Sequence, residues 1–237
     1  MSHIVTFREE GKVGVKEQTR ELVLEAAESL FLTKGLLEVS MEEIAALANC
    51  TRRNLYRYFE TKESLVIAVL RKLLAPWNEF QQETFRLLRG SGLTGRQELS
   101  YFLETLARHL EIHKDLVRFA AEFDFVFRER PNFQLDLSSE KSMYAEFQVT
   151  EGLISQILEK GEKDGSLKLP APPSILVPTI TTVLWALGQR VALRENLIHR
   201  EFGVEGMTLI QTQIDLIVIA LIPEKEPRAK KEKPNEQ

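Results

Sequence analysis

Apolar residues along most of the chain recur every three to four positions, which is the spacing of an amphipathic α-helix. Over residues 16–34 the apolar positions follow this spacing, and Gly35 stands where a glycine commonly ends a helix. No Asn-Gly or Asp-Gly pair sits between alternating apolar runs, so the usual signal for a β-hairpin is missing. The pattern predicts an all-α protein.

A short second helix is predicted after residue 40. Ser40 and Glu43 have the spacing of a capping box, in which each side chain accepts a hydrogen bond from the other residue's backbone. Asn49 follows the apolar positions of this helix and tolerates the left-handed conformation that a tight turn requires. The segment therefore predicts a helix of about two turns followed by a sharp turn.

A third and a fourth helix are predicted after this turn. Thr51 is a second N-cap candidate, and Leu55 with Phe59 forms an apolar pair one helical turn apart. The fourth helix starts near Lys62 and continues to about Leu73. Two short helices joined by a tight turn are typical of a helix-turn-helix.

The rest of the chain predicts a larger helical domain. Pro76 is the first strong break in the pattern and the predicted boundary between a domain over residues 16–75 and one over residues 76–222. Residues 1–15 are expected to form a flexible arm, and residues 223–237, rich in Lys, Glu and Pro, a disordered charged tail. Helical blocks are predicted at about 77–89, 94–111, 113–129, 139–163, 174–196 and 204–222.

Composition narrows the class of protein. The chain has 237 residues, 43% of them hydrophobic and 28% charged, and one cysteine, Cys50, which excludes an intramolecular disulfide. No signal peptide is recognised at the start, and the longest apolar stretch, residues 175–188, is interrupted by Pro178 and polar residues. We interpret this stretch as a buried helix and expect a soluble, cytoplasmic protein without a membrane partner.

The net charge of −4 argues against a protein that coats nucleic acid by bulk charge. Residues 1–75 contain eleven basic and eleven acidic side chains, so the first domain is neutral overall. Its basic charge is concentrated between residues 51 and 62, where four cations face Glu60 alone. The sequence therefore predicts one basic helix face.

The third helix has the composition of a DNA-recognition helix. Arginine can bind guanine edges or phosphates, asparagine can bind adenine, and hydroxyl groups can bind phosphate oxygens. A basic, solvated helix with its aromatic rings in the core is the alternative. The outward-facing candidates are Thr51, Arg52, Arg53, Asn54, Tyr56, Arg57 and Tyr58, with Lys62 at the start of the next helix.

Residues 16–70 resemble the DNA-binding domain of the tetracycline-repressor (TetR) family of transcriptional regulators. The third helix ends in Leu55-Tyr56-Arg57-Tyr58-Phe59, which is similar to the family's L-Y-x-[HY]-F pattern. The following residues, through Lys62-Glu63-Ser64-Leu65, are similar to its F-x-x-K-E-x-L link into the fourth helix.

This resemblance implies roles for individual residues. Ser40 would cap the second helix and touch the DNA backbone, and Thr51, Tyr56 and Lys62 would contact phosphates. Leu55 and Phe59 would belong to the core. The residues expected to face base edges or nearby phosphates are Arg52, Arg53, Asn54 and Arg57. The sequence departs from the family where Asn49 and Arg53 replace a frequent glycine and Asn54 a frequent threonine, so no operator sequence can be transferred.

The resemblance also implies an all-helical effector-binding and dimerisation domain over residues 76–222. Its last two helices, at about 174–196 and 204–222, would pair with those of a second copy. From the pattern alone, burial of their apolar stripes within one subunit is an equal alternative. Two-fold symmetry of DNA half-sites favours a homodimer.

We predict an effector site in residues 119–133, because this segment contains five of the thirteen phenylalanines. These rings form either plain core or the wall of a pocket, in which acidic side chains would bind a cationic or hydrogen-bonding group. We expect an unknown small-molecule effector that is apolar or amphipathic. The candidates are Phe119, Glu122, Phe123, Asp124, Phe127, Tyr144 and Trp185.

No enzyme, cofactor or metal site is predicted. His109 and His113 are one helical turn apart and could share a metal, but their string HLEIH is not the metalloprotease motif. A metal-dependent enzyme that uses this histidine pair is one alternative function. The sequence predicts a ligand-responsive DNA-binding regulator, most often a repressor in this family, that binds a palindromic double-stranded operator. A helical ligand-binding or protein-binding module that no longer uses DNA is the alternative.

Overall fold

The computed structural model describes the backbone of residues 3–128 and 148–223. Within these ranges it describes the side chains of residues 17–128, 148–194 and 197–223. The described backbone contains helices and no strand, so the all-α prediction is confirmed. Tyr144 and residues 224–237 of the expected charged tail lie outside the described part of the chain.

The N-terminal part consists of three helices and the start of a fourth. These are α1 (His3–Lys34), α2 (Met41–Leu47), α3 (Arg52–Tyr58) and α4 (Lys62–Arg89). The predicted start of α1 near Lys16 was wrong, because the backbone is helical from His3. Its predicted end is confirmed: Gly35 adopts a left-handed φ of 85° and its N–H donates to the carbonyl of Phe31 at 2.9 Å.

Helix α4 passes through Pro76 without ending, so the predicted break was wrong. A proline inside a helix removes the hydrogen bond to the carbonyl four residues earlier. Packing on both sides of Pro76 offsets that loss, because Leu74 and Trp77 are both buried. The first domain and the larger body are therefore joined by one continuous helix, and the domain boundary at residue 76 stays a prediction.

The larger body is built from five further helices of the described chain. They are α5 (Gly95–Ile112), α6 (Lys114–Phe127), α7 (Val149–Lys163), α8 (Pro173–Phe202) and α9 (Gly206–Ala220). The backbone of α8 departs from helical geometry at Arg194, where φ is −118°. These helices match the predicted blocks within a few residues, except that residues 139–147 lie outside the described range and that α8 extends to Phe202.

Helix α8 is not a buried helix, and that interpretation of residues 175–188 was wrong. One face of α8 packs against α6, α7 and α9, while the opposite face is apolar and exposed in the single chain. Ile175 and Val183 on that face are 58% and 40% exposed, and Leu193 and Leu197 continue the same stripe. Both faces of the segment carry apolar side chains, but other helices of the same chain bury only one of these faces.

Candidate DNA interface and ligand cavity

Local hydrogen bonds fix the start of α2. The Ser40 hydroxyl accepts from the backbone N–H of Glu43 at 3.2 Å, and the Glu43 carboxylate accepts from the backbone N–H of Ser40 at 2.9 Å. This confirms the predicted capping box. Asn49 has a φ of 49°, so it supplies the left-handed turn expected between α2 and α3.

The third helix is anchored by its cap and its core residues. The Thr51 hydroxyl accepts from the backbone N–H of Asn54 at 3.2 Å, which confirms the predicted N-cap. Leu55 is fully buried and Phe59 is 5% exposed, so both belong to the core as expected. The short helix therefore has one fixed face inside and the opposite face outside.

All nine predicted DNA-contact residues are at least partly exposed. Thr51, Arg52, Arg53 and Arg57 are exposed on α3. The remaining candidates, all half-buried, are Ser40, Asn54, Tyr56, Tyr58 and Lys62.

The three arginines of α3 differ in their contacts. Arg52 forms an ion pair with Glu42 at 2.6 Å and lies over the ring of Tyr56; hydrogen bonding to Tyr56 and the charge of Glu42 raise the pKa of its guanidinium. Arg57 donates to the hydroxyl of Tyr58 at 3.0 Å. Among the described residues, Arg53 has neither an ion pair nor a hydrogen-bond partner. Arg53 is therefore the cation of α3 that needs to break no contact to reach DNA.

The capping carboxylate of α2 is unusually acidic. A hydrogen bond from Lys34 at 2.8 Å, together with those from Ser40, lowers the pKa of Glu43 from 4.5 to about 2. Because folding favours the ionised form, its contribution to stability is complete above pH 4.5 and is lost as the pH falls towards 2.

We therefore expect the stability advantage of the wild-type chain over Glu43→Gln to shrink between pH 4.5 and about 2. The glutamine keeps an acceptor for the cap but not the charge that Lys34 binds. Urea unfolding of both chains at several pH values measures this difference. Glu25→Gln on α1 is the control, since Glu25 is exposed. A constant difference between the two chains from pH 6 to the acid end of that window would contradict this account of Glu43.

A cavity of about 340 Å³ lies inside the larger body. Six helices, α4 to α9, contribute to its wall, and most of the lining is apolar. This volume falls within the range of small-molecule sites, which are commonly apolar with a few polar groups. The two tryptophans of the chain, Trp77 of α4 and Trp185 of α8, both line it.

Of the predicted effector residues that the structure describes, Trp185 lines this cavity and the other five do not. The ring of Phe119 packs 6.3 Å from that of Phe31 on α1, and the rings of Phe123 and Phe127 contact each other at 4.9 Å. Asp124 accepts a hydrogen bond from Gln189 at 2.9 Å. Tyr144 lies outside the described residues.

Glu122, also among the predicted effector residues, lies at the contact between the body and the first domain. Its carboxylate accepts a hydrogen bond from the backbone N–H of Leu36 at 2.7 Å and lies against Gly35, just after the end of α1. Together with the contact between Phe31 and Phe119, this bond attaches α6 to α1.

Sequence reasoning missed Glu151, which lines the cavity from α7. A signal was present, because Glu151 shares helical spacing with Ile154 and Leu158, both of which are buried. An acidic residue on an apolar helix face is the kind of position that marks a ligand site.

The pair His109 and His113 lies beside aromatic rings. Their own rings are 4.3 Å apart, and the ring of His109 stacks on Phe80 at 3.8 Å. Burial, followed by the charge of His113, lowers the pKa of His109. Within the described ranges, no group of three or more potential metal ligands occurs.

The fold and these two sites define a helical protein with a helix-turn-helix and a separate, ligand-sized cavity. Residues 23–69 match the family model of bacterial regulatory proteins of the tetR family. The chain is 31% identical over 104 residues to NicS, an HTH-type transcriptional repressor of Pseudomonas putida, covering 42% of this chain and 49% of NicS. The chain thus spans about half the length of this relative.

Solved structures extend the likeness to the whole fold. Thermus thermophilus FadR, a TetR-family transcriptional repressor in complex with lauroyl-CoA, superimposes with a TM-score of 0.59 at 20% identity, covering 88% of this chain and 97% of FadR. NalD, the secondary repressor of the MexAB-OprM multidrug efflux pump in Pseudomonas aeruginosa, gives 0.59 at 21% identity over 88% and 98%. The sequence match to tetR-family regulatory proteins thus covers the helix-turn-helix, and the solved structures share the fold over most of the chain.

Proposed function

We propose that the protein is a DNA-binding transcriptional repressor that a small molecule releases from its operator. The observation that carries this proposal is the course of α4. This helix begins with Lys62 beside the recognition helix and ends in the body, where Leu74, Trp77 and Asn78 form part of the cavity wall. A ligand in the cavity therefore contacts the same rigid element that positions the DNA-binding surface.

DNA binding is supported by the basic face of α3. Each α3 would enter the major groove, with Arg53 and Asn54 near base edges and Thr51, Tyr56 and Lys62 near phosphates. Arg52 would exchange its partner Glu42 for DNA, so its net contribution should be smaller than that of Arg53. The remaining candidates, Ser40, Arg57 and Tyr58, would contact the backbone or bases beside this set.

Two connections, one along α4 and one through a hydrogen bond to α6, can transmit a change in the cavity to the DNA-binding surface. Along α4, Lys62 and Trp77 are fifteen residues apart, or about 22 Å at the helical rise of 1.5 Å per residue. The second contact is the hydrogen bond from Leu36 to Glu122 on α6, a helix that also lines the cavity through Lys114 and Val117. A ligand that favours a different arrangement of α4 and α6 would lower DNA affinity by linkage.

A homodimer is supported by the exposed apolar face of α8 and α9. Val183 and Leu193 of α8 and Leu216 and Ile219 of α9 are each at least 40% exposed. Because α8 and α9 pack against each other, exposed apolar side chains on both helices favour an interaction site. The segment Pro173–Arg194 is also long and apolar enough to cross a membrane. We propose that a second copy of the chain, and not a membrane, covers the exposed face of this segment. The protein would then be cytoplasmic. We propose no enzymatic role and no cofactor for it.

We expect the full-length chain to sediment at twice its 27.2 kDa mass and the double variant Val183→Glu/Leu216→Glu to sediment as a monomer. The reason is that each glutamate would place an unpaired charge inside the dimer contact. The control is Leu87→Glu/Ile112→Glu, which changes two apolar residues elsewhere that are more exposed than Val183 and Leu216. Analytical ultracentrifugation measures the masses. Unchanged dimerisation of the α8/α9 variant would contradict this interface.

The proposal is tested by selecting fragments of genomic DNA with the purified full-length chain. We expect the enriched fragments to share a two-fold symmetric sequence, because a symmetric dimer reads two half-sites. Enrichment should fall as salt rises, since phosphate contacts release counterions. Recovery of fragments with no shared sequence would refute operator binding and would favour a ligand-binding module that does not use DNA.

A further inference from the structure

The cavity contains a carboxylate whose hydrogen-bonding capacity is only partly used. Oε1 of Glu151 accepts from the Thr181 hydroxyl at 3.4 Å. Oε2 of the same side chain is buried and accepts no hydrogen bond from any described residue. Leaving a buried carboxylate oxygen without a donor is costly, so this position favours a partner that supplies one.

Neighbouring polar side chains are already paired with one another. The Thr150 hydroxyl donates to Oε1 of Gln81 at 2.7 Å, and Nε2 of Gln81 donates to Oδ1 of Asn78 at 2.8 Å. Gln81 is fully buried, so this chain of hydrogen bonds is fixed by packing. None of these donors is directed at Glu151, which leaves its second oxygen available to a ligand.

The charge of the lining favours a cation. Three carboxylates, those of Glu111, Glu151 and Glu205, line the cavity, and Lys114 is the one lining residue of the described chain with a basic side chain. An anion would be repelled mainly by Glu151, because Glu111 and Glu205 are exposed to solvent and Glu205 lies 2.9 Å from His199. A cation would be attracted by the same groups.

The remaining wall suits an apolar or aromatic body. The rings of Trp77 and Trp185 line the cavity together with aliphatic side chains of α5, α7 and α9, including Leu103, Ile154 and Ile210. Tryptophan faces attract cations in addition to binding apolar groups. The cavity thus combines a large apolar surface with one acidic anchor.

We propose that the cavity binds a lipophilic amine, a molecule with an apolar body and a protonated nitrogen whose N–H donates to Oε2 of Glu151. This assignment rests on the proposed function, because it names the class of effector for the same cavity. It distinguishes this chain from the lauroyl-CoA complex of its structural neighbour, since a coenzyme A ester carries several negative charges.

Three probes with the same body and different charge test the assignment: phenylbutylamine, phenylbutanol and phenylbutyrate. By calorimetry, the wild-type chain should bind the amine about tenfold more tightly than the alcohol or the carboxylate, as one charge-assisted hydrogen bond allows. Glu151→Gln should remove this preference, so that the variant binds the amine no more tightly than the alcohol. Glu159→Gln, an exposed carboxylate on the same helix, should behave as wild type. Thermal unfolding by circular dichroism establishes that each variant is folded.

Two results would overturn the assignment: a wild-type chain that binds the amine no more tightly than the carboxylate, including one that binds none of the probes, or a preference for the amine that survives in Glu151→Gln. The first comparison uses the unaltered protein and does not depend on how a variant folds. Because no DNA is present in these titrations, failure here leaves operator binding intact, and failure of the genomic selection leaves the amine preference intact.

Discussion

Replacing Arg53 with alanine should weaken binding of the chain to its selected DNA site by about 1–3 kcal/mol per half-site, and by twice that in a symmetric dimer. Arg53 is exposed on α3, and no described residue pairs with it, so its full interaction with DNA is lost on truncation. Arg52→Ala should cost less, because DNA binding by Arg52 has to break its ion pair with Glu42.

Fluorescence anisotropy with a labelled fragment measures these affinities at fixed salt. Arg108→Ala is the matched control, since it removes the same charge from a side chain of the body that is 72% exposed. If wild type, Arg53→Ala and Arg57→Ala bind the DNA fragment with equal affinity, α3 does not form the DNA interface.

Gly95→Ala should destabilise the folded chain by about 3 kcal/mol or more. A methyl group at Gly95 would lie 2.3 Å from the backbone of Gly161, so α5 and α7 would have to separate. Both helices line the cavity. The substitution should therefore lower ligand affinity as well as stability.

Urea unfolding followed by circular dichroism measures this effect. Gly152→Ala on α7 is the control, because nothing lies within 4 Å of the added methyl group there. Its helical position predicts unchanged stability or a gain of up to about 1 kcal/mol. If the two variants unfold at the same urea concentration, the close crossing of α5 and α7 is not a determinant of stability.

The helix-turn-helix could be predicted because its signals are local. The cap at Ser40, the turn at Asn49 and the cap at Thr51 each depend on residues within three or four positions, and periodicity alone places Leu55 in the core. Caps, turns and apolar periodicity of this kind can be identified from neighbouring residues alone.

The cavity and the contacts between the domains could not be predicted in this way. The cavity wall comes from six helices, and the bond from Leu36 to Glu122 joins residues 86 positions apart. The phenylalanines of α6 suggested a pocket, but Phe119 packs toward α1 instead. Pro76 has a strong local preference for ending a helix, and tertiary packing around Leu74 and Trp77 overrides it.

Footprinting shows whether two copies of this chain place their α3 helices on one symmetric DNA site. A selected genomic fragment is titrated with the full-length protein and then cleaved chemically. We expect two protected half-sites related by two-fold symmetry, centred about one helical turn or a multiple of it apart. Protection without symmetry, or no protection of the selected fragment at any protein concentration, would contradict it.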